Sequence, residues 1–184
     1  MRSFSEIETI SKRASRGAGF SWGVSEEIGK SVRLLEMFGL PGILYLKSYL
    51  EKISNHNYQK ITIISAENVS NNISYCPISV GVNFLDQAYN IEKIENINFS
   101  NLAYPLLVIP FLSRSSEIIG KKILLNFENF KFLLNYNQSI FSNFDNSLIS
   151  KTTNFFISFN QNENSFDKMT WDTLYKISQK TFVD

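Results

Sequence analysis

The chain has 184 residues and a mass of 21.2 kDa, a length that suits one domain and buries roughly 70% of the unfolded surface without a disulfide or metal. Apolar residues make up 43%, charged residues 19%, and the net charge is +1. These values exclude a disordered polyelectrolyte and argue against a strongly cationic nucleic-acid binder. The single cysteine, Cys76, excludes an internal disulfide and a multi-thiolate zinc site, and the single histidine, His56, removes most acid–base and metal constellations.

The first third reads as helical. Ile7, Ile10 and Ala14 recur at three- and four-residue spacing, Ser3 or Ser5 caps the start, and Gly17 and Gly19 end the helix. A second helix begins near Ser21 with the stripe Val24, Ile28, Val32, Leu35 and Phe38, and Gly39 stops it. Pro41 opens a third helix with Ile43, Leu46, Leu50 and Ile53 on one face, closed by Asn55-His56-Asn57. Residues 60–65 and 74–85 are rich in β-branched side chains and read as strands. Pro110 opens a short helix through Ile118 and Ile119, capped by Gly120.

Residues 121–136 alternate as a hairpin about Glu128-Asn129, with Ile123, Leu125 and Phe127 on one face and Phe130, Phe132, Leu134 and Tyr136 sharing a face of the next strand. A strand spans about 152–160, a polar loop runs from Gln161 to Ser165, and a last helix covers about 168–180 with Trp171, Leu174 and Ile177 inward. The pattern predicts an α+β fold: N-terminal helices packed with a largely antiparallel sheet, and a C-terminal helix. Residues 1–184 are expected to form a single globular domain, helical over 1–54 and mainly strands with one or two helices over 58–184.

The N-terminus lacks the apolar core of a signal peptide. The run Leu102–Leu112 is interrupted by Pro105 and Pro110 and is about half of the roughly 20 residues a membrane span needs. A soluble, cytoplasmic protein is expected, with no membrane and no nucleic-acid partner.

Chemistry concentrates in the stretch from Arg16 to Glu27. Backbone at Gly17 and Gly19 admits a close ligand, and the helix beginning at Ser21 offers unpaired N–H groups and a positive dipole end. With Arg16 these would hold a carboxylate or phosphate. Glu26 or Glu27, a turn further on, would meet an ammonium, and Trp22 would supply a wall or cation–π face. The set suits a small zwitterionic or anionic metabolite. The same residues also admit a purely structural reading: a tight inter-helix turn, a core tryptophan, and acids that complement the helix dipole and pair with Lys30. A short Gly-x-Gly with no preceding strand is not a dinucleotide fingerprint, and no phosphate-loop lysine follows. Cys76 precedes Pro77 and reads as a small buried apolar residue, or as a nucleophile if His56 lies beside it. No metal or cofactor is expected, and no catalytic residue is assigned.

The segment SFSEIETISKRASRGAGFSWGVSEEIGKSVRLLEMFGLPG resembles the opening of an uncharacterised bacterial family, domain of unknown function 3726. Looser similarity continues through Tyr75-Cys76-Pro77, Ala103–Leu112 and Trp171–Val183. Arg16, Gly17, Gly19, Trp22, Gly23, Glu26, Glu27 and Cys76-Pro77 match the family pattern, whereas His56 does not. The resemblance implies no activity. Two functions are therefore expected from different classes. The first is metabolite binding at the 16–27 turn, through Arg16, Gly17, Gly19, Ser21, Trp22, Glu26 and Glu27. The second is an accessory or structural subunit that docks on an enzyme partner or forms a homo-oligomer.

Overall fold

Short-range capping rules set the helices of the N-terminal third. The computed structural model describes residues 1–161 and 164–182, Phe182 by its backbone alone. Helix α1 (Phe4–Gly17) starts at Ser3, whose hydroxyl accepts the Glu6 N–H at 3.1 Å. Helix α2 (Trp22–Met37) starts at Ser21, which accepts from Val24 N–H at 3.3 Å. Gly19 between them sits at φ +100°, where a side chain would be strained. The two helices run antiparallel and bury small residues, Ser11 and Ser15 on α1 and Ser25 and Gly29 on α2, with Gly29 close against the Glu8 carbonyl and the Lys12 stem. Ion pairs Lys12–Glu26 (2.5 Å) and Arg33–Glu8 (2.9 Å) flank this seam.

Helix α3 (Gly42–Ile53) forms as expected but is rotated. It buries Gly42, Tyr45, Leu46 and Tyr49, while Ile43 faces outward. The two tyrosines tolerate the core because their hydroxyls are satisfied. Tyr45 Oη donates to the Ser147 carbonyl and accepts from Ile149 N–H, each at 2.8 Å.

Two expected strands are corrected. Residues 60–65 form no strand, since their backbone is taken by side chains: Ile61 N–H donates to Ser79 Oγ (3.0 Å) and Ile64 N–H to Gln87 Oε1 (3.2 Å). Only the short β1 (Glu67–Asn68) follows. Within 74–85 the chain instead forms helix α4 (Pro77–Asp86), with Cys76 as its cap and Pro77 in its first turn. Ile78, Gly81 and Phe84 are buried at three-residue spacing, and Gly81 lies so close to the Phe111 ring that any β-carbon would collide with it. A one-turn helix α5 (Ala88–Ile91) precedes β2 (Asn96–Phe99), and β3 (Leu102–Ala103) follows.

A 3₁₀ turn, Pro105–Val108, leads into α6 (Ile109–Ile119), which ends at Gly120 as the sequence indicates. Helix α6 is buried on most sides, packing on the sheet on one side and on α2 and α4 on another. The expected hairpin is β4 (Lys122–Phe127) and β5 (Phe130–Asn135), with Phe127 opposite Phe130 across Glu128-Asn129. Tyr136 falls beyond β5, at φ +48°. Strands β6 (Ser139–Ser142), β7 (Lys151–Thr152) and β8 (Phe155–Asn160) complete the sequence.

The main sheet has the order β1-β2-β8-β4-β5-β6, antiparallel except for the β1–β2 pair, and β3 pairs with β7 separately. Register sets Ile97, Ile157, Leu125 and Phe132 in one row across four strands. All four are buried. This is an α+β architecture: helices cover one face of a mostly antiparallel sheet.

The last helix, α7 (Lys168–Ser178), is capped by Asp167, which accepts Thr170 N–H at 2.8 Å. Its expected inward face is corrected: Trp171, Leu174 and Ile177 are all exposed, and no residue of α7 is buried. Spacing records an apolar stripe, against which the described residues set the Phe166 ring, stacked on Trp171 with ring centres 5.6 Å apart. Of the polar loop, Asn162 and Glu163 lie outside the described residues, as do Val183 and Asp184. No described helix is long and apolar enough to cross a membrane.

Candidate functional site

The α1–α2 turn, the end of α3 and the start of α4 converge on one cleft. Its first lobe, about 280 Å³, is lined by Ala18, Gly19 and Phe20 on one side and by Tyr49, His56, Tyr58, Lys60 and Cys76 on the others. A second lobe of about 350 Å³ shares Gly19, Phe20, Lys60 and Cys76 and extends along α4 past Ser79 to Asn83.

The chain between α3 and α4 is irregular, yet it is pinned where it passes the cleft. Gln59 N–H donates to the Ser74 carbonyl (2.9 Å), and Cys76 N–H donates to the Gln59 carbonyl (2.8 Å). Ser79 Oγ donates to the Ile61 carbonyl (3.1 Å), and Asn83 Nδ2 donates to the same oxygen (2.8 Å). These four bonds bracket Lys60 and hold its backbone against the start of α4, so its exposed side chain rises from the cleft mouth.

The floor is aromatic and sulfur-bearing. Tyr49 is fully buried and its hydroxyl shares a hydrogen bond with Cys76 Sγ at 3.1 Å. Its ring lies 5.4 Å from that of Tyr58 and 6.4 Å from that of Phe20. Burial pushes the Tyr49 phenol far above its ordinary value, with Cys76 adding to the effect, and burial likewise raises Tyr58. Both shifts favour the neutral phenol, which keeps its hydrogen-bonding proton. Cys76 Sγ also accepts the Ser79 N–H at 3.4 Å, at the positive end of α4. His56 lines the same lobe, but no hydrogen bond joins it to Cys76.

The residues singled out in the sequence divide between this cleft and other tasks. Gly19 and Ser21 line it. Arg16 donates to the Phe20 carbonyl at 2.7 Å and stacks 5.2 Å from the Trp22 ring centre, tying the turn closed from outside. Trp22 is exposed, and Lys12 stands 5.8 Å over the same ring. Gly17 closes α1 on the exposed side. The two acids diverge. Glu26 pairs with Lys12 on α1, and that hydrogen bond and charge hold its carboxyl below the usual range. Glu27 turns toward α6 and receives a short hydrogen bond from Arg114, with Lys30 at 3.0 Å. Burial works to raise Glu27, but Arg114 and Lys30 outweigh it and hold it below the usual carboxylate range. Arg114 also donates to Ser31 Oγ at 3.3 Å, so Glu27 and Arg114 bolt α2 to α6.

Sequence reasoning missed Phe20, Tyr49, Tyr58 and Lys60. Tyr49 had one legible signal, its four-residue spacing from Tyr45 on α3. Lys60 had none, because its place depends on bonds to residues 14 to 23 positions away.

The class of protein is thus defined by its architecture: a helical layer on an open, mostly antiparallel sheet, with a cationic, aromatic-floored cleft where three helix ends meet. Residues 2–74 match the family described as Protein of unknown function (DUF3726), which bears out the resemblance of the N-terminal motif. The match covers the α1–α2 turn, Tyr49, His56 and Lys60, and it stops short of Cys76-Pro77, Ala103–Leu112 and the last helix. No curated protein and no solved structure matches the chain.

Proposed function

We propose that the protein binds a small anionic metabolite in the cleft between the α1–α2 turn and the start of α4. The observation that carries this reading is the convergence of Lys60, His56 and the α4 N-terminus on one hollow floored by aromatic rings. Lys60 supplies a point charge for a carboxylate or phosphate. The first turn of α4 adds its dipole, and the Phe20, Tyr49 and Tyr58 rings take the apolar part of the ligand. Gly19 and Ser21 form the opposite wall, so the turn marked out by the sequence shapes the site with its backbone.

Isothermal titration against a panel of carboxylates, amino acids and phosphate esters tests the proposal. A hit should weaken at least tenfold in Lys60→Met and should shield Cys76 from alkylation by iodoacetamide. Arg16→Ala should leave the affinity within about twofold. A ligand that binds Lys60→Met as well as wild type, or one lost only on Arg16→Ala, would place the anion elsewhere and end this reading.

The accessory-subunit reading draws on one separate observation, the bare apolar stripe of α7. It concerns a different surface and is compatible with a ligand in the cleft.

A further inference from the structure

The cleft holds one feature that anion binding leaves unused. Tyr49 Oη and Cys76 Sγ share a hydrogen bond at 3.1 Å, in which either atom can donate. A phenol and a thiol bring two protons to that contact. The other bond to the pair comes from the Ser79 N–H, which donates to the sulfur at 3.4 Å and accepts nothing there. Among the described residues one of the two protons therefore has no acceptor, although Tyr49 is fully buried and Cys76 nearly so. A buried donor left over in this way is costly until something takes its hydrogen bond. Both residues line the first lobe, and Cys76 lines the second as well, so it stands where the two lobes meet.

We propose that the anion bound in the cleft is a small oxo acid, and that Cys76 Sγ adds to its aldehyde or ketone carbon as a reversible thiohemiacetal. The chemistry rests on the anion-binding function and gives the class of its ligand. The carbonyl oxygen is the acceptor that the spare proton lacks. In an S–C–O unit the oxygen lies two bonds from the sulfur, so groups that donate to the sulfur also reach that oxygen. Tyr49 O–H and the Ser79 N–H, at the positive end of α4, are two such donors, placed where a carbonyl oxygen gains charge. A conjugated alkene would hold its oxygen beyond them, and a disulfide has no oxygen to hold. The protons balance. Sulfur bonds to the carbonyl carbon, the thiol proton passes to Tyr49 Oη, and the Tyr49 proton passes to the carbonyl oxygen, which takes the electron pair of the broken π bond and becomes a hydroxyl. No oxidant, reductant or leaving group takes part. Burial favours the protonated phenol, so Tyr49 relays a proton instead of standing as a base. Lys60, which lines both lobes, meets the carboxylate of the same ligand.

Calorimetric titration of glyoxylate, pyruvate and succinic semialdehyde, beside their carbonyl-free counterparts glycolate, lactate and butyrate, tests this. At least one oxo acid should bind tenfold or more tightly than its counterpart. That ratio should fall to about one in Cys76→Ser and at least threefold in Tyr49→Phe, whereas Lys60→Met should weaken both members of the pair and keep the ratio. With the carbonyl carbon of the favoured probe isotopically labelled, its magnetic resonance in the wild-type complex should move from the carbonyl range to that of a carbon bonded to oxygen and sulfur, a measurement that needs no variant. Equal affinity for both members of every pair, weakened in Lys60→Met, keeps the anion site and overturns the carbonyl chemistry. A borohydride-stable adduct that disappears in Lys60→Met puts the carbonyl on the lysine as an imine and also overturns it. So does the absence of any oxo-acid binding, while phosphate-ester binding that is lost in Lys60→Met would leave the anion site standing.

Discussion

Helices α2 and α7 are alike in sequence and unlike in fate. Both have an apolar stripe at three- and four-residue spacing, and both are capped by a short polar side chain, Ser21 or Asp167. Yet α2 buries Ile28, Val32 and Leu35 between α1 and α6, while α7 buries nothing. Amphipathic spacing therefore fixes that a helix has a face to cover, but it does not say where the cover lies. Helix α2 obtains its cover within the chain from α1, α3, α4 and α6. The apolar side chains of α7 stay exposed, and that difference separates an element of the core from one outside it.

Truncating a stripe residue breaks the comparison most sharply. Leu35→Ala should cost about 3 kcal/mol in urea unfolding, because Leu35 is fully enclosed and leaves a cavity. Leu174→Ala should stay within about 0.5 kcal/mol. A comparable loss at both sites would show that α7 packs on the body.

The ion pair that joins α2 to α6 gives the next effect. Glu27→Gln should cost about 2 kcal/mol at pH 7, since it leaves the partly buried Arg114 without its acid. The Glu27 carboxyl is held below its ordinary value of 4.5, so its contribution is present above that pH and is lost as pH falls through the lowered folded value. The gap between variant and wild type should accordingly narrow as pH falls below 4.5 and vanish once it has passed that lowered value. A gap unchanged between pH 7 and pH 3 would assign the effect to packing instead of charge.

Caps give the smallest and finest contrast. Ser21→Ala should lower global stability by about 1 kcal/mol. Asp167→Ala should leave the global transition unmoved while speeding amide exchange across α7, because an element outside the cooperative unit can unfold alone. Equal effects of the two caps on global unfolding would merge α7 with the core.

Much of the fold could be read from local pattern. Ser3 and Ser21 announced two helix starts, Gly120 a helix end, and Glu128-Asn129 a hairpin turn whose strands pair as expected. The misreadings share a cause. Residues 74–85 alternate β-branched side chains, yet Pro77 after Cys76 starts a helix there, and contact with Phe111 on α6 selects the face that carries Gly81. On α3, Tyr45 and Tyr49 displaced Ile43 from the interior because Ser147, Ile149 and Cys76 satisfy their hydroxyls. Those partners lie up to 104 positions away, where spacing carries no signal. The site followed the same rule. The turn at 18–21 was visible through Gly19, but Lys60 and Tyr49 became its neighbours only through long-range packing.

The sequence alone determined the bounds of α1, α2, α3 and α6, the alternation of the β4–β5 hairpin, and that an α+β fold results, because caps, turns and periodicity act over four residues or fewer. Tertiary structure alone decided that Glu26 and Glu27 point apart, that Cys76 lies against Tyr49 below Lys60, and that one amphipathic helix is covered while another is not. Those outcomes depend on which distant surfaces meet, and burial is a property of the meeting rather than of either segment.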